Sequence, residues 1–237
     1  AGNIGFRHFQ GIIKYNSKLK IFLVDPLIKN LKNKYLDELN IDIDKKLIFY
    51  EDISLLPKNI DFLVCSTSSD VRFEILNELI DKKEIANILL EKIVFQKKND
   101  FIKIGKKFKN LKIKSWVNCP QRYFDFYRNL KLSLDGEKIE MISNGCDWSL
   151  ASNSVHVIDL FCFLTGDYNI NFSENNLDEK KIFSKRKGFY ELKGSLVIKN
   201  KYGRLILEDS ENYDYKLFTI TAVDENYGGI GTVTYNL

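Results

Sequence analysis

The sequence has little of what metal-binding, membrane-spanning or nucleic-acid-binding proteins need. Its 237 residues include two histidines and four cysteines with no C-x-x-C pair, so the composition predicts no metal site. Its apolar runs are shorter than the ~20 residues that cross a bilayer. Its 36 basic residues are offset by 32 acidic ones, with no basic block. We therefore expect neither a membrane nor a nucleic acid as a partner.

The composition and the cysteines indicate a folded protein of a reducing compartment. Hydrophobic residues make up 44% and charged residues 29% of the chain, which is typical of globular proteins. Cys65 and Cys162 lie within the apolar runs FLVCST and DLFCFL, where a thiol packs as a small hydrophobic group. Reduced, buried thiols favour a cytoplasmic location.

Residues 1–118 alternate short apolar runs with helical patterns, one of which covers 27–39. Because the runs contain few polar residues, helices are expected on both faces of the sheet that they form. We predict an α/β fold for this N-terminal domain, with a Rossmann-like, doubly wound parallel sheet. The strand-like runs are KIFLVDP (20–26), KLIFYED (46–52), DFLVCSTSS (61–69), NILLEKIVF (87–95) and LKIKSWVNC (111–119).

Residues 119–237 follow a different pattern. RYFDFYRNLK and SNSVHVIDLFCFLTG are helical, and the second is expected to stop near Gly166. KGSLVIKNKYGRLILEDS then predicts a hairpin about Lys201–Gly203, and YKLFTITAV a further strand. We predict an α+β domain with a mainly antiparallel open sheet. Since VTYNL stops among strand-like segments, we expect this domain to be incomplete at its C-terminal end.

The opening AGNIGFRHFQG indicates a phosphate-binding loop. Gly2 and Gly5 are spaced like the last two glycines of G-x-G-x-x-G, and a helical pattern follows at once. The N-terminal amides of a helix can hold a pyrophosphate, so we predict cofactor contacts from Gly2, Asn3, Ile4 and Gly5. The alternative is a structural turn. The motif's first glycine and the strand before it do not occur in the sequence. We expect that this first strand of the sheet has been lost from the N-terminal end.

Asp25 bears on the choice of cofactor. It ends a strand twenty residues after Gly5, which is the spacing of the acidic residue that binds the adenosine ribose hydroxyls. A carboxylate there repels a 2′-phosphate, so we predict NAD as the cofactor. Lys29, one turn further on, keeps NADP possible. The alternative is a surface aspartate.

Four stretches together resemble the Gfo/Idh/MocA family of sugar and cyclitol oxidoreductases. They occur in the family's order between residues 2 and 166, and the GNIGFRH form is similar to members found in polysaccharide and nonulosonate gene clusters. The stretches are GNIGFRH, DFLVCSTSSDVRFEIL, NILLEKIVF and NSVHVIDLFCFLTG.

The resemblance implies a nucleotide-binding domain followed by an α/β domain that covers the active site and builds homo-oligomers through its sheet. It implies hydride transfer between NAD(P) and a hydroxyl of a sugar or nucleotide sugar. It also leaves open a non-catalytic nucleotide- or sugar-sensing protein, because one regulator of sugar metabolism has this fold. A methyltransferase with a similar glycine loop is a third, weaker alternative.

The resemblance assigns catalysis in the first domain to Lys92. Family members usually have Glu-Lys-Pro where this chain has Glu91, Lys92 and Ile93, and the lysine is expected to exchange a proton with the substrate oxygen. Glu91, Thr67 and Ser68 are expected to lie against the cofactor. The alternative for Lys92 is a solvated lysine at a strand end.

In the second domain, His156 and Asp159 match the family's H-x-x-D motif. They lie one turn apart on a helix, and His156 is expected to take the hydroxyl proton. Ser152 occupies the position where many relatives carry aspartate, and Asn153 is expected to contact substrate hydroxyls. The alternative is a packed helix in which His156 binds a backbone carbonyl.

Three cationic side chains are further candidates. Arg122 and Tyr123 match a family arginine–aromatic stretch and are expected to bind the substrate, with Lys131 nearby; the alternative for Arg122 is an ion pair between domains. Arg72 stands where relatives often have histidine. It is expected either to reach a phosphate or to solvate its helix.

Overall fold

The fold was analysed in a computed structural model, which describes residues 2–15, 19–31, 47–224 and 228–236. The chain forms two compact units, Ala1–Asn118 and Cys119–Leu237. The predicted fold class is confirmed: the first unit contains parallel, Rossmann-like strands between helices, and the second contains a mainly antiparallel sheet. Each unit is described separately below.

The described part of the first unit contains two groups of parallel strands. β1 pairs with β2, while β3, β4 and β5 form a second sheet in that order. The strands are β1 (Ile21–Val24), β2 (Leu47–Tyr50), β3 (Asn59–Cys65), β4 (Glu84–Leu90) and β5 (Lys114–Val117). The helices are α1 (Asn3–Tyr15), α2 (Arg72–Lys82) and α3 (Lys98–Asn110), and a 3-10 turn covers Ile53–Leu55.

Apolar residues at helical spacing hold these helices in place. Leu76, Leu79 and Ile80 of α2 are buried together with Ile88 of β4. This is the three- and four-residue repeat that places side chains on one helix face. Phe6 and Phe9 of α1 form a second buried cluster with Leu23 and Ile28. Packing of the helices fixes the turns between strands and helices, where the candidate residues lie.

Two strands end earlier than the sequence pattern predicts. The run 61–69 corresponds to β3, which ends at Cys65, and the run 87–95 corresponds to β4, which ends at Leu90. The residues beyond each strand end form turns. Thr67, Ser68, Glu91 and Lys92 therefore all follow the carboxyl end of a strand. The helix predicted over 27–39 lies largely outside the described residues.

The second unit packs helices on a six-stranded sheet of order β13-β12-β6-β11-β10-β7. Its helices are α4 (Asp125–Leu134) and α5 (Leu150–Thr165), preceded by a 3-10 turn over Pro120–Tyr123. Its strands are β6 (Lys138–Gly145), β7 (Asn171–Leu177), β8 (Ile182–Phe183), β9 (Tyr190–Glu191), β10 (Gly194–Asn200), β11 (Gly203–Asp209), β12 (Lys216–Asp224) and β13 (Gly228–Asn236).

The hairpin predicted about Lys201–Gly203 is confirmed. β10 and β11 pair antiparallel with Asn200 opposite Gly203, whereas β11 pairs with β6 in parallel. The helix predicted to stop near Gly166 is confirmed as well, because α5 ends at Thr165 and Gly166 adopts the left-handed conformation with φ of 70°. Apolar residues of α5 and of the central strands share one buried core.

All four cysteines are free thiols, three of them buried and Cys146 partly exposed. Burial raises the pKa of the Cys65 thiol and raises that of Cys162 to about 11, so both stay protonated at neutral pH. Within the described part of the chain, no helix is long and apolar enough to cross a membrane.

Candidate functional site

In the first unit, the sequence-predicted residues lie at the start of α1 and after three strand ends. Asp25 follows β1, Thr67 and Ser68 follow β3, and Lys92 follows β4. In open α/β sheets, ligands bind at the carboxyl ends of the parallel strands. The candidate residues of the first unit therefore lie at the edge of the strands where such sheets bind ligands.

The start of α1 has the features of a phosphate-binding turn. The helix begins at Asn3, its first internal bond runs from the Phe6 amide to the Gly2 carbonyl at 2.9 Å, and Gly5 is buried within the first turn. The earliest amides of a helix have no partner within the helix and so point their donors outwards. A side chain at Gly2 would meet nothing within 4 Å, so open space adjoins these amides.

Asp25 adopts a local turn at the end of β1. Its Oδ1 accepts a hydrogen bond from the Leu27 amide at 2.8 Å, and its own amide donates to the Tyr50 carbonyl at 3.1 Å. The carboxylate is thereby fixed in position by main-chain contacts. Lys29, which in the sequence analysis keeps NADP possible, forms an ion pair with Glu51 at 2.7 Å.

A buried carboxylate links α1 to the end of β4. Glu91 is 8% exposed, and its Oε1 accepts hydrogen bonds from His8 Nε2 and from Asn118 Nδ2, each at 2.6 Å. Burial opposes ionisation of Glu91, but these two donors outweigh it and hold the pKa of the carboxyl below its ordinary value. The expected cofactor residue Glu91 is therefore engaged inside the protein.

Lys92 is partly exposed, and the Lys92–Ile93 peptide bond is cis. The chain thus has a cis bond at the position where the resembling family places proline, although Ile93 stands there. The Glu91 amide donates to the Cys65 carbonyl at 3.1 Å, which joins this turn to the end of β3.

Arg72 binds the backbone on both sides of Lys92. Its Nη1 donates to the carbonyl oxygens of Glu91 at 2.6 Å, Ile93 at 2.5 Å and Val94 at 2.9 Å, and its Nη2 donates to the carbonyl of Thr67. The residue is 1% exposed. Both sequence-based expectations for Arg72 are wrong. The side chain is too buried to solvate its helix, and its guanidinium donates to main-chain oxygens rather than to a phosphate.

In the second unit, Arg122 and Asp159 form a partly buried ion pair. Arg122 Nε donates to Asp159 Oδ2 at 2.8 Å, and Nη2 donates to Oδ1. This two-pronged hydrogen bond raises the pKa of the guanidinium above its ordinary value. The guanidinium also lies 5.8 Å from the Phe163 ring centroid and 5.9 Å from that of Tyr168. Two sequence-predicted residues are thus brought together within one unit.

The remaining candidates lie along the same part of the second unit. His156 is partly exposed on α5, one turn before Asp159. Asn153 Nδ2 donates to the Trp148 carbonyl at 2.7 Å, which ties the first turn of α5 to the preceding loop. Tyr123 is 64% exposed, and Lys131 donates to the Phe163 carbonyl.

Glu191 places a carboxylate against Ser152. It is 7% exposed on β9, and its Oε1 accepts from the Ser152 hydroxyl at 2.6 Å while its Oε2 accepts from the Ser152 amide at 3.2 Å. Many members of the resembling family carry aspartate at the position of Ser152. In this chain, β9 supplies a carboxylate to the same turn of α5. Helix N-terminal amides favour a negative charge at this end.

Sequence reasoning missed His8, Asn118 and Glu191 as partners of the candidate residues. Each is a polar residue whose partner is distant in sequence, such as the 83 positions between His8 and Glu91. Hydrophobic periodicity carries no signal for such pairs. Among the residues that the structure describes, no group of three His, Cys, Asp or Glu side chains could hold a metal ion.

Neither a protein-family model nor a curated protein matches the sequence. Solved structures do match. The WlbA dehydrogenase from Thermus thermophilus, solved with NAD and UDP-GlcNAcA, superposes with a TM-score of 0.64 at 12% identity, over 100% of this chain and 81% of that one. GenD2 from gentamicin A biosynthesis, solved with NAD, gives 0.68 at 12% identity over 100% of this chain and 70% of that one.

The transcriptional regulator Gal80p from Kluyveromyces lactis also matches, with a TM-score of 0.65 at 13% identity, over 97% of this chain and 74% of that one. Identities this low establish the fold alone. The chain shares the fold of NAD-binding dehydrogenases, and it shares that fold with a regulator as well.

Proposed function

We propose that this protein is an NAD-dependent oxidoreductase that transfers a hydride between nicotinamide and a hydroxyl of a sugar or nucleotide sugar. The observation that carries the proposal is the 2.6 Å hydrogen bond between His8 and Glu91. It fixes the glycine-led helix α1 against the strand end that is followed by Lys92. The hydrogen bond thereby holds the helix proposed to bind phosphate against the turn that carries the candidate proton donor.

The first unit fits a dinucleotide in two respects. The open space beside Gly2 leaves room for a phosphate at the N-terminal amides of α1, where the helix dipole favours negative charge. Asp25 is held at a strand end, where its carboxylate can accept hydrogen bonds from ribose hydroxyls. We assign the phosphates to residues 2–5, the ribose to Asp25, and the turn at Thr67 and Ser68 to the cofactor's remaining contacts.

When bound, NAD supplies the hydride acceptor or donor. The protein's own groups move the proton. Lys92 carries an ammonium that can exchange a proton with the substrate oxygen. His156 is a second proton acceptor in the second unit, and Asn153 and Tyr123 are proposed to bind substrate hydroxyls. Arg122, whose guanidinium is held in place by Asp159, is proposed to contact an anionic sugar or diphosphate.

A second candidate function is a non-catalytic sensor that binds a nucleotide or sugar. The fold that this chain shares with the regulator Gal80p favours it. The hydrogen bond from the Asn153 side chain to the Trp148 carbonyl also favours a sensor, because this amide already holds the start of α5. A sensor would bind a dinucleotide or a sugar without turnover.

The first test is the identity of the bound cofactor. Protein purified without added nucleotide is denatured, and the released small molecules are identified by mass spectrometry, followed by titration with NADH and NADPH. Released or tightly bound NAD(H) supports the proposal and justifies a panel of sugars and nucleotide sugars. Binding without turnover on the panel favours the sensor, and no binding at millimolar concentration rejects both.

A further inference from the structure

We propose that Arg72 is the positioning residue for Lys92: one buried guanidinium holds the two turns that present the cofactor-binding and proton-transfer residues. This inference rests on the proposed function. It gives Arg72 a role other than the phosphate contact that the sequence analysis considered.

The first step is the pattern of contacts. Nη1 lies 2.6 Å from the Glu91 carbonyl oxygen and 2.5 Å from that of Ile93, so the carbonyl groups of the residues before and after Lys92 share one donor nitrogen. Nη1 also reaches the Val94 carbonyl at 2.9 Å. The two hydrogens of Nη1 are thus shared among three carbonyl oxygens. Three such contacts restrict the backbone path of the turn after β4 more than a single hydrogen bond would.

The second step is the bridge between strands. Nη2 donates to the Thr67 carbonyl, at the turn after β3, while Nη1 serves the turn after β4. A guanidinium presents donors in a rigid planar fork, so one side chain bridges the two turns, in addition to the hydrogen bond from the Glu91 amide to the Cys65 carbonyl. The main chain of Arg72 is anchored to the same turn, because its amide donates to the Ser68 carbonyl at 3.1 Å.

The third step is the cost of the arrangement. Arg72 is 1% exposed, and a buried guanidinium is stable only when its donors are satisfied. Its Nη1 and Nη2 groups donate to main-chain oxygens of the two turns that carry Thr67, Glu91 and Lys92. Loss of the guanidinium would remove its hydrogen bonds to both turns together, whereas truncation of an apolar residue of the same helix removes packing in the apolar core and leaves these bonds in place.

The test uses the full chain with Arg72→Lys, which keeps the charge but replaces the two-nitrogen fork by one nitrogen. The matched control is Leu76→Ala in α2, which shortens a fully buried apolar side chain of the same helix and keeps the guanidinium of Arg72. An error of about 1 Å in the position of a reacting group costs up to about 100-fold in rate. We expect Arg72→Lys to lower kcat by about 10- to 100-fold and to raise the Kd for NADH, because the turn at Thr67 and Ser68 loses a donor as well.

Leu76→Ala should retain the parental kcat per folded molecule. In Arg72→Ala, added guanidinium ion at non-denaturing concentration should restore part of kcat, and it should have no such effect on Leu76→Ala. A parental kcat in Arg72→Lys overturns the proposal. So does an equal loss of kcat in Leu76→Ala, since both variants would then act through stability alone. Should Arg72→Ala not fold, Arg72→Lys decides.

A second readout separates this proposal from the proposed function. Trace labelling with isotope-coded acetic anhydride, read by peptide mass spectrometry, gives the reactivity of the Lys92 amine relative to that of exposed Lys58. We expect Arg72→Lys to change this ratio and Leu76→Ala to leave it as in the parent. An unchanged ratio in Arg72→Lys overturns the positioning role. Absence of any dehydrogenase activity in the parent rejects the function instead.

Discussion

The His8 imidazole and the Glu91 carboxylate, 83 positions apart in the sequence, lie 2.6 Å apart in the folded chain. Because an ionised carboxylate can only accept, Nε2 of His8 is the donor. The pair joins the helix that follows the glycines to the strand end that precedes Lys92. A change at either residue is therefore expected to affect both the proposed phosphate site and the proposed proton donor.

Glu91→Gln should remove a pH-dependent part of the stability. The folded pKa of Glu91 is below its ordinary value of 4.5, so the unfolded chain binds the proton more readily. The stabilisation is then fully present above that value and is lost as pH falls through the folded pKa. At pH 7 the variant should be less stable by about 1–3 kcal/mol, since hydrogen bonds to a charged group are lost.

Urea unfolding at pH 7, 4 and 3 measures this effect. The difference between parent and Glu91→Gln should shrink as the pH falls. Glu78→Gln is the control, because its ion pair with Lys82 is exposed. A constant difference across the three pH values would contradict the assigned role of Glu91.

Asp25→Ser should shift cofactor preference towards NADP. Removing the carboxylate removes its repulsion of a 2′-phosphate, and like-charge contacts cost enough to change the NAD-to-NADP affinity ratio by about tenfold or more. Fluorescence titration with NADH and NADPH gives both affinities. Asp61→Ser, within β3, should leave the ratio as in the parent. An unchanged ratio in Asp25→Ser would move the selectivity elsewhere.

Lys92→Met should lower turnover by about 100-fold or more, because the variant cannot exchange a proton with the substrate. NADH affinity should stay near that of the parent. Single-turnover and steady-state assays on a substrate from the panel measure the loss. Lys58→Met is the control, because Lys58 is exposed and pairs with Glu84 at the opposite end of β4. Parental turnover in Lys92→Met would exclude Lys92 from the mechanism.

Substitutions of Arg122 and Asp159 should have coupled effects on the free energy of unfolding. Each side chain of the pair is at most a quarter exposed, so removing one charge leaves the other poorly solvated. A double-mutant cycle with Arg122→Gln and Asp159→Asn should give a coupling free energy of about 0.5–3 kcal/mol. The exposed pair Arg128–Asp125 should give less than about 0.5 kcal/mol in the same cycle. Additive single effects at Arg122 and Asp159 would refute the coupling.

Ser152→Asp should destabilise the protein, although the resembling family often has aspartate there. The new carboxylate would meet Glu191, whose oxygen lies 2.6 Å from the Ser152 hydroxyl. Two adjacent carboxylates cannot both ionise without cost, so we expect a loss of about 2 kcal/mol at pH 7. Thermal unfolding should show recovery in Ser152→Asp with Glu191→Gln. Ser133→Asp, at an exposed position, serves as control, and full stability of Ser152→Asp alone would contradict the clash.

The sheets and the hairpin could be predicted because their signals are local. Apolar runs bounded by polar turns identify β3 and β4, and the Lys201–Gly203 turn identifies the pairing of β10 with β11. The exact strand ends could not be predicted. The residues after Cys65 and Leu90 form turns, and no periodicity within the runs 61–69 and 87–95 marks that change.

The role of Arg72 could not be predicted for a different reason. A charged residue that begins an amphipathic helix normally faces water, so the pattern favours a solvated or phosphate-facing side chain. Its burial depends on carbonyl groups from the turn after β4, about twenty positions later. Only the tertiary fold brings them together. The same holds for Ser152 and Glu191, which come from a helix and a distant strand.

The hydrogen bonds from Arg72 Nη1 to Glu91, Ile93 and Val94 end on main-chain oxygens. A hydrogen bond to a carbonyl group does not depend directly on the side chain of the residue that carries it. The exposed Ile93 could therefore be exchanged for another residue with these three bonds kept, whereas the buried Val94 is also held by packing in the apolar core. Arginine at position 72 thus makes the backbone path after Lys92 tolerant of substitution at Ile93.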